Sequence, residues 1–185
     1  MDPLSIFASL AAILQVVEQG FKLCRGLKRF VDVVQCWAKE VNRFSNQVQI
    51  FSIALNSAQM SLDSHIRNHP DSLVVKYIRK NNLMDAVDVE LAYIRGHFLT
   101  VTRWLRSVQH GTKWWAAFQW ARKKASIFKM IPQMGIVQGT LELVVSTVHL
   151  SAIDDILSKT RKNLEATAQE MGRLRQQKWV SYQSC

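Results

Sequence analysis

The chain is 185 residues long and 48% hydrophobic, with 24 Lys+Arg against 14 Asp+Glu and a formal charge of +10. That length suits one domain with a sizeable core, and the hydrophobic content, with only 7 Gly and 3 Pro, excludes a disordered or collagen-like chain. So few turn residues also argue against an all-β fold, which needs a turn roughly every 8–12 residues.

The first predicted helix opens at Pro3, tolerated in a first turn, with Asp2 placed to cap it. Its stripe runs Ile6, Leu10, Ile13, Val17, Phe21, Cys24, Leu27, Val31 at helical steps of three and four. A second row of Leu4, Phe7, Ala11 and Leu14 makes its beginning apolar nearly all round. The next stripe is a strict heptad, Trp37, Val41, Phe44, Val48, Phe51, Leu55, Ala58, Leu62, and predicts a long helix packed in a bundle. It ends near His69-Pro70, because the residue before proline is steered out of the helical region, and Asp71-Ser72 can cap a new start.

A third stripe, Leu83 to Val108, is broken by Gly111. Beyond a Trp-rich stretch a fourth reads Ile127, Met130, Met134, Val137, Leu141, Val144, Val148, and a last one reads Ile153, Leu157, Thr160, Leu164, Thr167, Met171, Leu174. Pro132 marks a kink or a helix start, and Ser151 with Asp154 either caps a new helix or lies inside one that runs through. No strand pattern of useful length occurs. The expectation is an all-α, four- to five-helix bundle of long, near-antiparallel helices, one domain over 1–177 with a short tail at 178–185.

The charge is local. Between Glu90 and Glu142 there is no acidic residue, and the interval holds Arg95, Arg103, Arg106, Lys113, Arg122, Lys123, Lys124 and Lys129, as well as Trp104, Trp114, Trp115 and Trp120. Tryptophan favours the lipid headgroup region, and each Lys or Arg beside an anionic leaflet contributes about 1 kcal/mol. The candidate anionic-surface residues are therefore Arg103, Arg106, Lys113, Trp114, Trp115, Trp120, Arg122, Lys123, Lys124 and Lys129. The same side chains suit nucleic-acid phosphates, but no helix-turn-helix, RRM or zinc-finger signature accompanies them, so no specific nucleic acid is expected.

A second candidate is the uncharged opening, with Leu4, Ile6, Phe7, Leu10, Ile13, Leu14 and Val17 as its apolar residues. At about 1.5 Å per residue it spans near 22 Å, short of the ~30 Å hydrocarbon core. In a resting state it reads as a central bundle helix, and on activation as a segment released to insert in a membrane. No run of about 18 uncharged apolar residues exists, which argues against a permanent spanning helix. Gly135 and Gly139 form a GxxxG, read in a bundle as close packing.

Catalytic patterns are missing. Gly111-Thr112-Lys113 has only the ending of a phosphate-binding loop, with Arg106 where its first glycine belongs, and neither GxGxxG nor GxSxG occurs. His65 and His69 have the i,i+4 spacing of zinc ligands but lack the intervening glutamate, and read as solvated. Asp85, Asp88 and Glu90 read as solvent-facing. Cys24, Cys36 and Cys185 have no CxxC spacing, which indicates neither zinc nor a disulfide framework and suits a reducing compartment. No enzyme, metal, cofactor or small-molecule substrate is expected.

Met1-Asp2-Pro3-Leu4-Ser5-Ile6, with Ala8-Ser9 and Ala12-Ile13-Leu14-Gln15, resembles the start of the fungal N-terminal domain of STAND (NLR-like) proteins, a HeLo-like helical bundle. Trp120 with Lys123/Lys124 and the stripe Ile127, Ile131, Met134, Val137, Leu141 is similar to that family's fourth-helix region. Val148-His149-Leu150-Ser151-Ala152-Ile153 is similar to its following stretch. The resemblance implies a bundle placed ahead of a nucleotide-binding switch and repeats, neither of which lies in these residues. It further implies signalling toward membrane-directed cell death in self/non-self recognition. The function expected is a cytoplasmic execution module recruited to the plasma membrane, acting by self-association and by binding or permeabilising anionic membranes. The alternative is an adaptor that recruits an NLR-type protein without touching lipid.

Overall fold

The computed structural model describes residues 3–70, 72–80, 83–109 and 111–183; the side chains of 3–7, 73, 74, 77, 79, 83, 85, 86, 109 and 174–183 lie outside the description. The elements are α1 (Pro3–Val31), a 3-10 turn (Gln35–Trp37), α2 (Ala38–Asn68), α3 (Leu73–Lys80), α4 (Leu83–Gln109), α5 (Lys113–Phe128) and α6 (Met130–Gln183). No strand occurs among the described residues, and four helices pack together, so the chain is an all-α bundle. It divides into two compact units, Met1–Ser146 and Thr147–Cys185, where the stripes suggest a single domain through 177.

Within the first unit the heptad of α2 turns inward as its period requires: Val41, Phe44, Val48, Phe51, Leu55 and Leu62 are all at most 1% exposed. Cys24 Sγ donates to the Ser45 carbonyl, and Gly20 of α1 abuts Ser52 of α2. As the numbers rise along α1 they fall along α2, so this pair is antiparallel. The partners of α1 on α4 rise together: Ser9 bonds Asp88, Gly20 faces Phe98, and Gly26 faces Leu105. Thus α1 and α4 run parallel, as the first and third long helices of an up-down-up run do, because α2, antiparallel to α1, carries the chain back to the end where α1 starts before α4 begins.

Local chemistry accounts for the breaks. Ser72 Oγ accepts from Val75 N at 3.2 Å and opens α3, while Asp71 lies outside the described residues, as does Asp2. At Gly111 a Cβ would sit 3.0 Å from Trp115 Cδ1 and 3.3 Å from the Val108 carbonyl, so a side chain there would press tightly on both. Thr112 then caps α5, its Oγ1 accepting from Trp115 N at 3.4 Å. Pro132 is the third residue of α6, where no intrahelical N–H is required. Ser151 lies inside α6, which runs through.

Three sequence expectations are corrected. His65 is buried rather than solvated, its Nε2 3.2 Å from Ser72 Oγ and its ring against His69. Asp88 is half-buried and accepts from Ser9 Oγ. Neither Gly135 nor Gly139 has anything within 4 Å of where a Cβ would stand, so the GxxxG marks no close packing.

Candidate functional site

The four tryptophans of the acid-free interval separate into two pairs. Trp120 is fully buried, with ring centroids 5.8 Å from Phe30, 6.2 Å from Trp104 and 6.5 Å from Phe128. This aromatic cluster ties α1, α4 and α5 together, and Phe128 extends it to Phe44 of α2 at 5.6 Å. Trp120 is therefore a core residue and is withdrawn from the surface set. Trp114 and Trp115 lie on the opposite side of α5, 74% and 44% exposed. Both stack on Phe118, itself exposed, with centroids 5.9 Å apart in each case. The split follows helical spacing, since Ala116, Trp120 and Ile127 form the buried stripe of α5.

The cations divide as well. Arg103, Arg106, Lys113, Arg122, Lys123 and Lys129 are exposed, and among the described residues no carboxylate pairs with them. Lys124 is different: its Nζ lies 3.2 Å from Glu40 and 4.1 Å from the ring centre of Trp37. An interval free of acid in sequence is thus not free of acid in space. The first turn of α5 contains no acidic residue and begins with Lys113, so the positive end of its dipole is left unopposed.

Sequence order hid a second group of cations. The parallel packing of α1 on α4 forms a groove of about 270 Å³ lined by Lys22, Arg25, Gly26, Arg29, Thr102, Leu105 and Arg106. Lys22 pairs with Glu18 at 2.6 Å, which holds the Glu18 carboxyl below its usual range. Arg25, Arg29 and Arg106 have no acidic partner among the described residues. The spacing 22, 25, 29 on one helix face was a readable signal, but its pairing with Arg106 required the helix packing.

Of the N-terminal candidates, Leu10, Ile13 and Val17 are core residues at 3%, 0% and 6% exposure, and Leu14 is 45% exposed. Leu4, Ile6 and Phe7 lie outside the described side chains. In this structure the first helix is a wrapped bundle helix. A different stretch is long and apolar enough to cross a membrane, by length and composition only: it lies in α5–α6, Lys113–Arg173. It is not an uncharged run, since Glu142 lies within it as the one charge between Lys129 and Asp154.

No group of three or more metal-ligating side chains occurs among the described residues. No family model, no curated protein and no solved structure matches the chain.

Proposed function

We propose that the chain is a non-enzymatic signalling or execution module that binds anionic membrane surfaces through α5 and self-associates. The cell-death and self/non-self setting comes from the resemblance to fungal STAND N-terminal domains. The observation that carries the lipid reading is the exposed Trp114–Trp115–Phe118 cluster on a helix whose outward cations lack acidic partners. Aromatic rings that stack on one another at an exposed helix start suit a headgroup layer, where an amphipathic ring has one wet and one apolar side. Five cations flank that cluster within 113–129 in the sequence, and Lys124 is held by Glu40, so four remain to face lipid. At about 1 kcal/mol each they give a useful surface affinity even when halved for placement. The α1–α4 groove adds Arg25 and Arg29.

Insertion of the first helix is the costlier half of this reading. Leu10, Ile13 and Val17 would have to leave the core, at about 1.5–3 kcal/mol for each large side chain. Release therefore needs a trigger, and the resting chain acts at the surface.

Tryptophan emission tests the reading. Anionic vesicles should shift the emission of the wild-type chain to the blue. In a Trp37→Phe, Trp179→Phe background, Trp114→Phe with Trp115→Phe should abolish the shift, since Trp120 is buried and the half-buried Trp104 packs against Phe30 and Trp120. A shift that survives the double substitution, or one that neutral vesicles reproduce, contradicts it.

The adaptor reading keeps one specific observation. Ile50, Ile53 and Met60 lie on the outer side of α2 at 60%, 52% and 63% exposure. It predicts that Ile53→Asp abolishes signalling while vesicle binding is unchanged.

A further inference from the structure

We propose that the apolar seam along the second unit is a dimerisation surface that takes the same seam of a second copy of this chain. The proposal rests on the self-association half of the reading above and is independent of the membrane half. The seam has two alternating rows. Leu150, Leu157, Leu164 and Met171 recur every seven residues, and Ile153, Thr160 and Thr167 follow three residues behind the first three. Steps of 3,4,3,4,3,4 are the period of a two-helix supercoil, in which each side chain of one row fits between four residues of a helix with the same repeat. A flat membrane makes no such demand, since an interfacial helix needs only a broad apolar face at the ordinary helical period.

The seam lies open. Leu150 is 68% exposed, Ile153 53%, Leu157 62%, Leu164 65% and Met171 57%. Every residue from 153 to 173 is exposed, so within its own unit this stretch of α6 has no packing to hold it. A helix without tertiary support is marginal in water, and Gly172 weakens it further. The two threonines are prepared for burial. Thr160 Oγ1 donates to the Ile156 carbonyl and Thr167 Oγ1 to the Asn163 carbonyl, both at 2.9 Å, so closing the seam orphans no hydroxyl proton.

The flanking positions fit a second copy. In a parallel pair, His149 faces Asp154 of the partner subunit, while Glu170 pairs with Arg173 of its own helix at 3.8 Å. Ile156 faces Arg161 of the partner subunit, whose methylenes can cover it. No like charges meet across the seam. Arg161 also pairs at 3.0 Å with Glu165 of its own helix, which lies one step further from the seam.

Sedimentation equilibrium of the full chain over a range of concentrations is the test. The wild-type chain should weigh twice 21.2 kDa. Leu157→Lys with Leu164→Lys should return it to 21.2 kDa with the bundle still helical by circular dichroism. The charge-matched pair Ser158→Lys with Ala166→Lys, on the outer side, should leave it dimeric. Thr160→Leu with Thr167→Leu should tighten the dimer at least tenfold. A wild-type chain that stays at 21.2 kDa at every concentration overturns the proposal, whatever it does with vesicles. So does a dimer that survives the double lysine substitution. Vesicle binding lost through α5 substitutions alone would leave the seam standing, so the two readings fail separately.

Discussion

Lys124 Nζ stands 3.2 Å from both carboxylate oxygens of Glu40, a residue 84 positions away in the chain. The contact joins α5 to the start of α2 and takes one cation out of the basic interval. Both side chains are about one-third exposed or more, so the pair is screened and contributes roughly 0–1 kcal/mol. Glu40→Ala should therefore barely move the melting temperature. It should raise the affinity for anionic vesicles, because Lys124 is released to face lipid. Calorimetry and vesicle titration on one variant check both halves.

Trp120 and Trp114 have the same side chain and opposite consequences. Trp120→Ala empties a fully buried site and should cost about 3–5 kcal/mol in denaturant unfolding. Trp120→Phe should cost much less, because the buried Nε1 has no hydrogen-bond partner and phenylalanine leaves no donor unsatisfied. Trp114→Ala should leave stability within about 0.5 kcal/mol and weaken vesicle binding.

Gly20 is fixed by close approach. A Cβ there would overlap Ser52 Oγ and come within 3.3 Å of Phe98 Cε2, and Ser52 is held by its bond to the Val48 carbonyl at 2.8 Å. Gly20→Ala should cost about 1–3 kcal/mol by overpacking. Adding Ser52→Ala should recover part of that loss, and a double-mutant cycle measures the non-additivity.

The thiols differ in environment. Burial pushes the Cys24 thiol above its ordinary 9.0, the Ser45 bond and Lys28 opposing only in part, whereas Cys36 is exposed. In a Cys185→Ser background a thiol reagent should label Cys36 at once and Cys24 only as the chain opens. Because the folded thiol keeps its proton to higher pH than the unfolded one, its contribution is fully present below about pH 9 and is lost as pH rises from there. Stability of the wild-type chain should fall over that range more steeply than that of Cys24→Ala.

Much of the fold was legible because the apolar period is strong. The stripe from Val41 to Leu62 is the buried face of α2, and Gly111 and Pro132 stand at helix boundaries. What the sequence concealed depends on direction and distance. The packing of α1 directly on α4, which sets Arg25 and Arg29 next to Arg106, joins helices separated in sequence by α2, and no local pattern encodes that. Trp120 and Trp114 are six residues apart with similar neighbours, and only the register of α5 on the aromatic cluster assigns one to the core. His65 reads as solvated because its partner, Ser72, belongs to the next helix. The seam on the second unit was visible as a stripe, but its exposure was not.

Co-sedimentation with vesicles tests the central claim most directly. The wild-type chain should pellet with anionic vesicles, remain in solution with neutral ones, and lose binding as salt rises. Lys123→Glu with Arg122→Glu and Trp114→Ala should leave the bundle folded and the pellet empty. Equal, negligible pelleting of the wild-type chain with both kinds of vesicle would contradict the account, as would undiminished binding of the triple variant.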